Sequence, residues 1–187
     1  MKNTLFVIIV LVILCCPCFA MIDVKFTPSK QCEETIIEFI DRAKYSIDAA
    51  IYSINNDKIV ESLKKAHHRG VKLSILTDKL QASTKSSKVI DLYKHGVNIR
   101  VNSKHKIEHN KFAIYDKKIA STGSFNWTNP ASNQNSENCL FLENNHKIIN
   151  KYIVRFEQLW KMNTKTKSEK WFRGRKDEKN HINNLFN

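Results

Sequence analysis

A chain of 187 residues is sized for one domain rather than several, and its 42% hydrophobic content is enough for a real core. Against 18 Asp and Glu stand 31 Lys and Arg, a formal charge of +13. An excess that large favours a polyanionic partner, nucleic acid or an anionic membrane surface.

The first 20 residues stand apart. Lys2 precedes an apolar run from Leu5 to Leu14, then come Pro17 and a candidate cleavage site at Cys18-Phe19-Ala20, the layout of a secretory signal peptide. Export, to the outside or the periplasm, is the expectation. An uncleaved membrane anchor is the alternative, since 4–20 is near the short end for a span. Once the leader is removed Cys32 and Cys139 remain, either paired in an oxidising compartment or held as buried thiols.

Beyond the leader, Asp23-Val24-Lys25-Phe26 reads as a short strand, and Ser29 caps a helix with apolar positions Ile36, Ile37 and Ile40. A strand follows at 45–52. Asp57 opens a helix through Ile59, Val60, Leu63 and Ala66 that ends at Gly70, and Val71 to Thr77 forms the next strand. Another helix reaches Tyr93 and stops at Gly96. Strands near 97–101, 111–115, 118–122 and 139–143 and a last helix over 146–160 complete an α/β fold, a mixed sheet flanked by helices. The loop 128–136 is polar and reads as exposed, shaping the cleft entrance. After Trp160 eight basic residues oppose three acidic ones with little apolar periodicity, so 162–187 is expected to be a flexible basic tail. Within it Trp171 and Phe172 could stack on bases, dip into a lipid interface, or rest loosely on the body.

The most informative stretch is His109-Asn110-Lys111-Phe112-Ala113-Ile114-Tyr115-Asp116, an imidazole, an ammonium and a carboxylate at the spacing H-x-K-x4-D. Side chains alternate along a strand, so His109 and Lys111 point the same way and can reach one phosphate, while Asp116 falls at the strand end. Histidine can attack phosphorus as a neutral nucleophile, and lysine offsets charge on the phosphoryl oxygens without a metal. Taken alone, the pair could equally be polar residues on a solvated edge strand. Gly123-Ser124-Phe125-Asn126-Trp127-Thr128 then offers a hydroxyl and a carboxamide two residues apart, both able to hold a phosphate, with Phe125 and Trp127 turned inward. Glu137 stands at the mouth of another strand, where it could orient an imidazole.

These segments resemble the phospholipase D superfamily, whose signature is H-x-K-x4-D followed by G-S-x-N. The likeness runs from about Ser29 to Lys161 and is greatest to the small single-motif branch of bacterial endonucleases and mitochondrial cardiolipin hydrolases. Ala43 to Ser53 resembles the branch's first core strand, Arg69-Gly70-Val71-Lys72-Leu73 its helix-to-strand turn, and Phe156-Glu157-Gln158-Leu159-Trp160 its closing helix. The resemblance implies a catalytic domain over 21–161. It makes His109, Lys111, Asp116 and Glu137 the candidate catalytic group, with Asp116 structural in character and Glu137 bonded to a catalytic imidazole. Lys111, Ser124 and Asn126 become the candidate phosphate ligands.

In that superfamily two motifs face each other across a pseudo-twofold axis, and this chain carries one. A homodimer supplies the second histidine. The implied chemistry is a metal-independent, two-step phosphodiester hydrolysis through a phosphohistidine, with no cofactor. A zinc site at His105 and His109 would need a helix, which the alternating β-rich flanks oppose. Three function classes remain open: a low-specificity endonuclease acting on DNA or RNA, a phospholipase D acting on phosphatidylcholine or cardiolipin head groups, and a catalytically silent nucleic-acid-binding module.

Overall fold

The structure, a computed structural model, describes the backbone of residues 20–185 and side chains as far as Arg175. The leader expected over 1–20 therefore lies, apart from Ala20, outside the described residues.

The elements follow in chain order as β1 (Met21–Phe26), α1 (Gln31–Arg42), β2 (Ser46–Ile51), α2 (Asp57–His68), β3 (Lys72–Thr77), α3 (Lys79–Ala82), α4 (Val89–Lys94), β4 (Asn98–Val101), β5 (Lys111–Tyr115), β6 (Ile119–Gly123), α5 (Asn129–Asn133), β7 (Asn138–Glu143), α6 (His146–Met162) and α7 (Lys165–Leu185). The seven strands form one sheet in the order β1-β7-β6-β5-β2-β3-β4. β2, β3 and β4 run parallel, joined by helical crossovers, whereas β5, β6, β7 and β1 pair antiparallel. The mixed sheet flanked by helices is thus the fold that the alternating apolar pattern indicated.

Period-two alternation sends each strand's side chains to two different cores. Ile47, Ala49 and Ile51 of β2 and Ala113 and Tyr115 of β5 join α1, α2 and α4 on one side. Ala50, Phe112 and Ile114 turn to the other, under Ile149, Phe156 and Leu159 of α6. A disulfide between Cys32 and Cys139, with Cα atoms 6.0 Å apart, ties α1 to β7.

Several local readings change. Ser29 stands one residue before the N-cap position, Lys30, which makes no side-chain bond; the Ser29 hydroxyl donates to the Phe26 carbonyl and accepts from the first helical N–H, that of Gln31, at 3.4 Å. Asn56, not Asp57, opens α2, its Oδ1 accepting from the Ile59 N–H. The helix expected up to Tyr93 is broken into α3 and α4, because Asp78 caps a short turn before the polar Ser-Thr-Lys-Ser-Ser stretch. The 128–136 segment holds α5, capped by Thr128, with Ala131 and Ser132 buried. The largest departure is the basic tail. Lys165–Leu185 is helical, and its first part packs on the body: Phe172 is buried and stacks on Tyr93 at 3.8 Å, while the Ser168 hydroxyl accepts from the Val101 N–H. Ser168, Phe172 and Arg175 recur at helical spacing on that inner side, and Arg175 donates to Ser83. Among the described residues, no helix is long and apolar enough to cross a membrane.

Candidate active site

His109 lies in the two residues before β5, and Lys111 is that strand's first residue. The Lys111 ammonium donates to the His109 carbonyl at 2.7 Å, which curls the backbone so that both side chains meet the same neighbour, Tyr52. The imidazole packs edge-on against the Tyr52 ring at 4.7 Å, and the ammonium sits 4.9 Å from the ring centroid. The joint orientation expected from strand alternation therefore holds. His109 is exposed, whereas Lys111 is half-buried, and burial lowers its pKa from the ordinary 10.5, opposed by the fields of Glu137 and Glu108.

Residues the sequence reading passed over hold this loop. Glu108 is buried; its N–H donates to Asp78, and its Oε1 accepts from the Asn110 side chain at 2.6 Å. Tyr52 is fixed by its N–H to the Asn110 carbonyl and by Gln81 at its hydroxyl. A carboxylate flanking the motif was the available sequence signal for Glu108. Tyr52 gave none beyond its place at the end of β2.

Gly123 ends β6 at φ +143°, opposite Cys139, and a Cβ there would collide with the Asn138 carbonyl. That close approach sets Ser124 against the start of β7. The Ser124 hydroxyl donates to Glu137 Oε2 at 2.5 Å and accepts from the Asn138 N–H. Glu137 is positioned in turn by Thr27, whose hydroxyl accepts the Glu137 N–H and donates to the Asn135 carbonyl. Its second oxygen accepts from the Asn135 side chain. Within one chain Glu137 thus bonds Ser124 and Asn135 rather than the His109 ring, and Ser124 would have to exchange Glu137 for a phosphate oxygen. Asn126 Oδ1 is buried without a partner, a polar atom free to be satisfied by a ligand or a small rotation of the amide.

Asp116 departs from the candidate catalytic group. It lies at the far end of β5 from His109, in a left-handed conformation with φ 49°, and its carboxylate accepts from the backbone N–H groups of Lys44, Tyr45 and Ser46 at 2.8 to 2.9 Å. Burial pushes its pKa up, but those three donors and Lys118 outweigh burial and hold it below the ordinary 3.8. The role is to pin the start of β2 to β5. Asp116→Asn should cost about 2 to 3 kcal/mol of stability, since charge-assisted bonds weaken together. A folded pKa below the unfolded one gives stability that is present above the unfolded value and lost as pH falls through the folded one. Melting curves of wild type and variant should therefore converge below about pH 3.8, with activity per folded molecule unchanged at neutral pH.

A cavity of about 450 Å³ opens beside His109 and Lys111, its far wall formed by Ile148, Lys151, Tyr152 and Arg155 of α6. Lys151 and Arg155 sit four apart, so both project from one face of the helix. His105, the other half of the zinc reading, is an exposed loop residue, and 102–110 is not helical.

This geometry coincides with a family assignment. The family described as "Cardiolipin synthase, PLD-like domain" matches residues 36–160. The chain belongs to the phospholipase D superfamily. Phospholipase D of Rickettsia prowazekii is 35% identical over 128 residues, 68% of this chain and 62% of that protein. Mitochondrial cardiolipin hydrolase of Chlamydomonas reinhardtii is 32% identical over 126 residues, 67% of this chain and 56% of that one. Among solved structures, Nuc from Salmonella typhimurium, a phospholipase D family member, aligns with a TM-score of 0.74 at 28% identity, covering 78% of this chain and 97% of that chain. The chain therefore spans less than two thirds of the length of these curated relatives but nearly all of Nuc.

Proposed function

We propose that this phospholipase D family member is a metal-independent phosphodiesterase that cleaves nucleic-acid backbones with little sequence preference, acting as a homodimer. The observation carrying the reading is the cavity wall. Among the described residues its charged side chains, Lys111, Lys151 and Arg155, are all cationic, and no carboxylate lines it. Such a wall suits the phosphate backbone rather than base edges.

In the first step a ring nitrogen of one His109 attacks phosphorus as the P–O bond to the leaving oxygen breaks, and the partner subunit's His109 gives that oxygen its proton. In the second step the partner's imidazole, now neutral, takes a proton from water. The water oxygen attacks phosphorus and the P–N bond breaks, so two inversions retain configuration. Lys111 offsets charge on the non-bridging oxygens, and Ser124 and Asn126 complete the phosphate cradle. The Cys32 to Cys139 disulfide supports an oxidising compartment, and with it export.

A second reading, hydrolysis of phospholipid head groups, is favoured by Phe112, Ile148 and Tyr152, which give the same cavity an apolar strip. Curated relatives bear the names phospholipase D and mitochondrial cardiolipin hydrolase. The deciding experiment incubates the protein in EDTA with plasmid, single-stranded oligonucleotide, phosphatidylcholine and cardiolipin. Cleavage of the nucleic acids alone is expected, with binding that weakens steeply as salt rises. Turnover of lipid alone would replace this reading with the second, and activity that vanishes in EDTA and returns with a divalent ion would overturn both.

A further inference from the structure

The family match ends at residue 160, and α7, which begins at Lys165, lies wholly beyond it. The inner side of this helix ties down two segments that carry the site. The Ser168 hydroxyl accepts from the Val101 N–H, and the Asn163 side chain, just before the helix, accepts from the Ser103 N–H. Both bonds fall at the root of the 102–110 loop that leads into His109. Arg175 donates to Ser83, which ends α3. The α3 segment itself supports the site, because Asp78 accepts the Glu108 N–H and Gln81 donates to the Tyr52 hydroxyl. The helix is therefore fastened at the same end of the sheet as His109. What these three segments turn to solvent is cationic. Lys79 and Lys85 on the first, Lys104 and Lys106 on the second, and Lys167 and Lys170 on α7 are all exposed, and none of them forms an ion pair among the described residues. No acidic residue occurs in 79–88 or 103–107, and the one acid in 165–175, Glu169, is shared between Lys165 and Arg173 at 3.6 and 3.7 Å.

We propose that α7 and the 102–110 loop form a second binding surface, separate from the His109 cavity, that holds the phosphates of a nucleic-acid strand through Lys104, Lys106, Lys167 and Lys170. The proposal rests on the nucleic-acid reading of the cavity and extends it from one phosphate to a footprint several nucleotides long. Charge complementarity selects the occupant, since cations without carboxylate partners gain most from a ligand that carries a regular row of negative charge. The apolar pattern argues against a lipid surface. A helix lying on a membrane presents large apolar side chains on the face opposite its polar one, buried in the lipid boundary. α7 instead commits Phe172 to Tyr93 and half-buries Trp171 against Phe172, and its outer side carries Thr166, Lys170 and Arg173. Leu80 and Ile107, one on each neighbouring segment, are single exposed apolar residues of a kind common on protein surfaces. Continuity with the site gives the surface its use. Lys104 and Lys106 stand in the same loop as His109, and α7 is bonded to the root of that loop, so a strand cleaved at His109 can remain held by its flanking phosphates. Affinity then depends on strand length, and long polymers are preferred to dinucleotides.

The test measures equilibrium binding of single-stranded oligonucleotides, from a dinucleotide to about 16 nucleotides, across a salt series. The parent is the full chain carrying His109→Ala, which binds without cutting, and it is compared with the same chain carrying Lys167→Ala and Lys170→Ala. Alanine at exposed helical positions preserves the helix, and circular dichroism checks that it does. The double replacement should weaken binding of the longest strand about 10-fold near physiological salt. It should also flatten the log–log salt dependence by about 1.4, the loss of two phosphate contacts at about 0.7 each. The difference from the parent should vanish on the dinucleotide, which a damaged fold would not allow, and Lys167→Arg with Lys170→Arg should restore the affinity for long strands. If the alanine variant binds long strands as tightly as the parent and with the same salt slope, the surface is wrong and the nucleic-acid reading of the cavity stands. If the length-dependent loss is found but the wild-type chain cuts no nucleic acid, the surface stands and that reading falls. If the replacements leave oligonucleotide binding intact but abolish co-sedimentation with phosphatidylglycerol vesicles, the surface serves a membrane and the proposal is overturned.

Discussion

Replacing His109 with alanine should lower kcat on any phosphodiester substrate by at least about 10³-fold, because in the proposed mechanism it removes the nucleophile from one subunit and the proton donor from the other. The fold should be nearly untouched. His109 is exposed, and its ring contact edge-on to Tyr52 is worth about 1 kcal/mol or less, so the melting temperature should move by only a few degrees. Polyanion binding should persist through Lys111, Lys151 and Arg155. Inactive subunits also test the stoichiometry. When His109→Ala protein is mixed with wild type at constant total protein and allowed to exchange, a site needing both rings loses activity as the square of the wild-type fraction. A site complete within one chain loses it linearly. A linear decline would remove the dimer from the mechanism.

What the sequence disclosed and what it concealed divide along the range of the interactions. The His109 and Lys111 pair, the inward turn of Phe125 and Trp127, and the positions of the strands along the chain depend on spacing within a few residues, and alternation alone conveys them. Asp116 stands in the same octet, yet its function is decided by the backbone of residues 44–46, which no local pattern reveals. Glu137 sits at a strand mouth as expected, but the side chains that hold it come from Ser124 and Asn135, with Thr27 supporting its backbone. The basic wall is a similar case. Lys151 and Arg155 belong to no motif in the sequence, and only α6 lying beside the start of β5 makes them a wall of the cavity. The tail misled for the reason that governs α7 itself: Phe172 is buried because Tyr93, far back in the chain, supplies its stacking surface. A highly charged segment with few apolar positions gives no hint that one of them has a partner.

Lys111→Met should reduce kcat/KM by about 10² to 10³-fold, the scale of losing one preorganised charge at a developing phosphoryl dianion. The pH dependence identifies the charge as the cause. In the proposed mechanism the protonated amine is the working form, and burial lowers its pKa, so activity should fall as pH rises through a value below the ordinary 10.5 of lysine. Glu108 opposes that shift from within the loop, its carboxylate favouring the ammonium. Glu108→Gln preserves the shape of the buried side chain and removes the charge, and the alkaline limb should then move to lower pH. Lys111→Arg makes the complementary change. A guanidinium stays charged throughout the range, so the limb should disappear while the rate remains below wild type, since a planar fork cannot reproduce the contacts of a compact ammonium with Tyr52 and the His109 carbonyl. If the limb ignored Glu108→Gln and survived in Lys111→Arg, it would belong to another group. Lys111 would then contribute by position, holding the His109 backbone, rather than by charge.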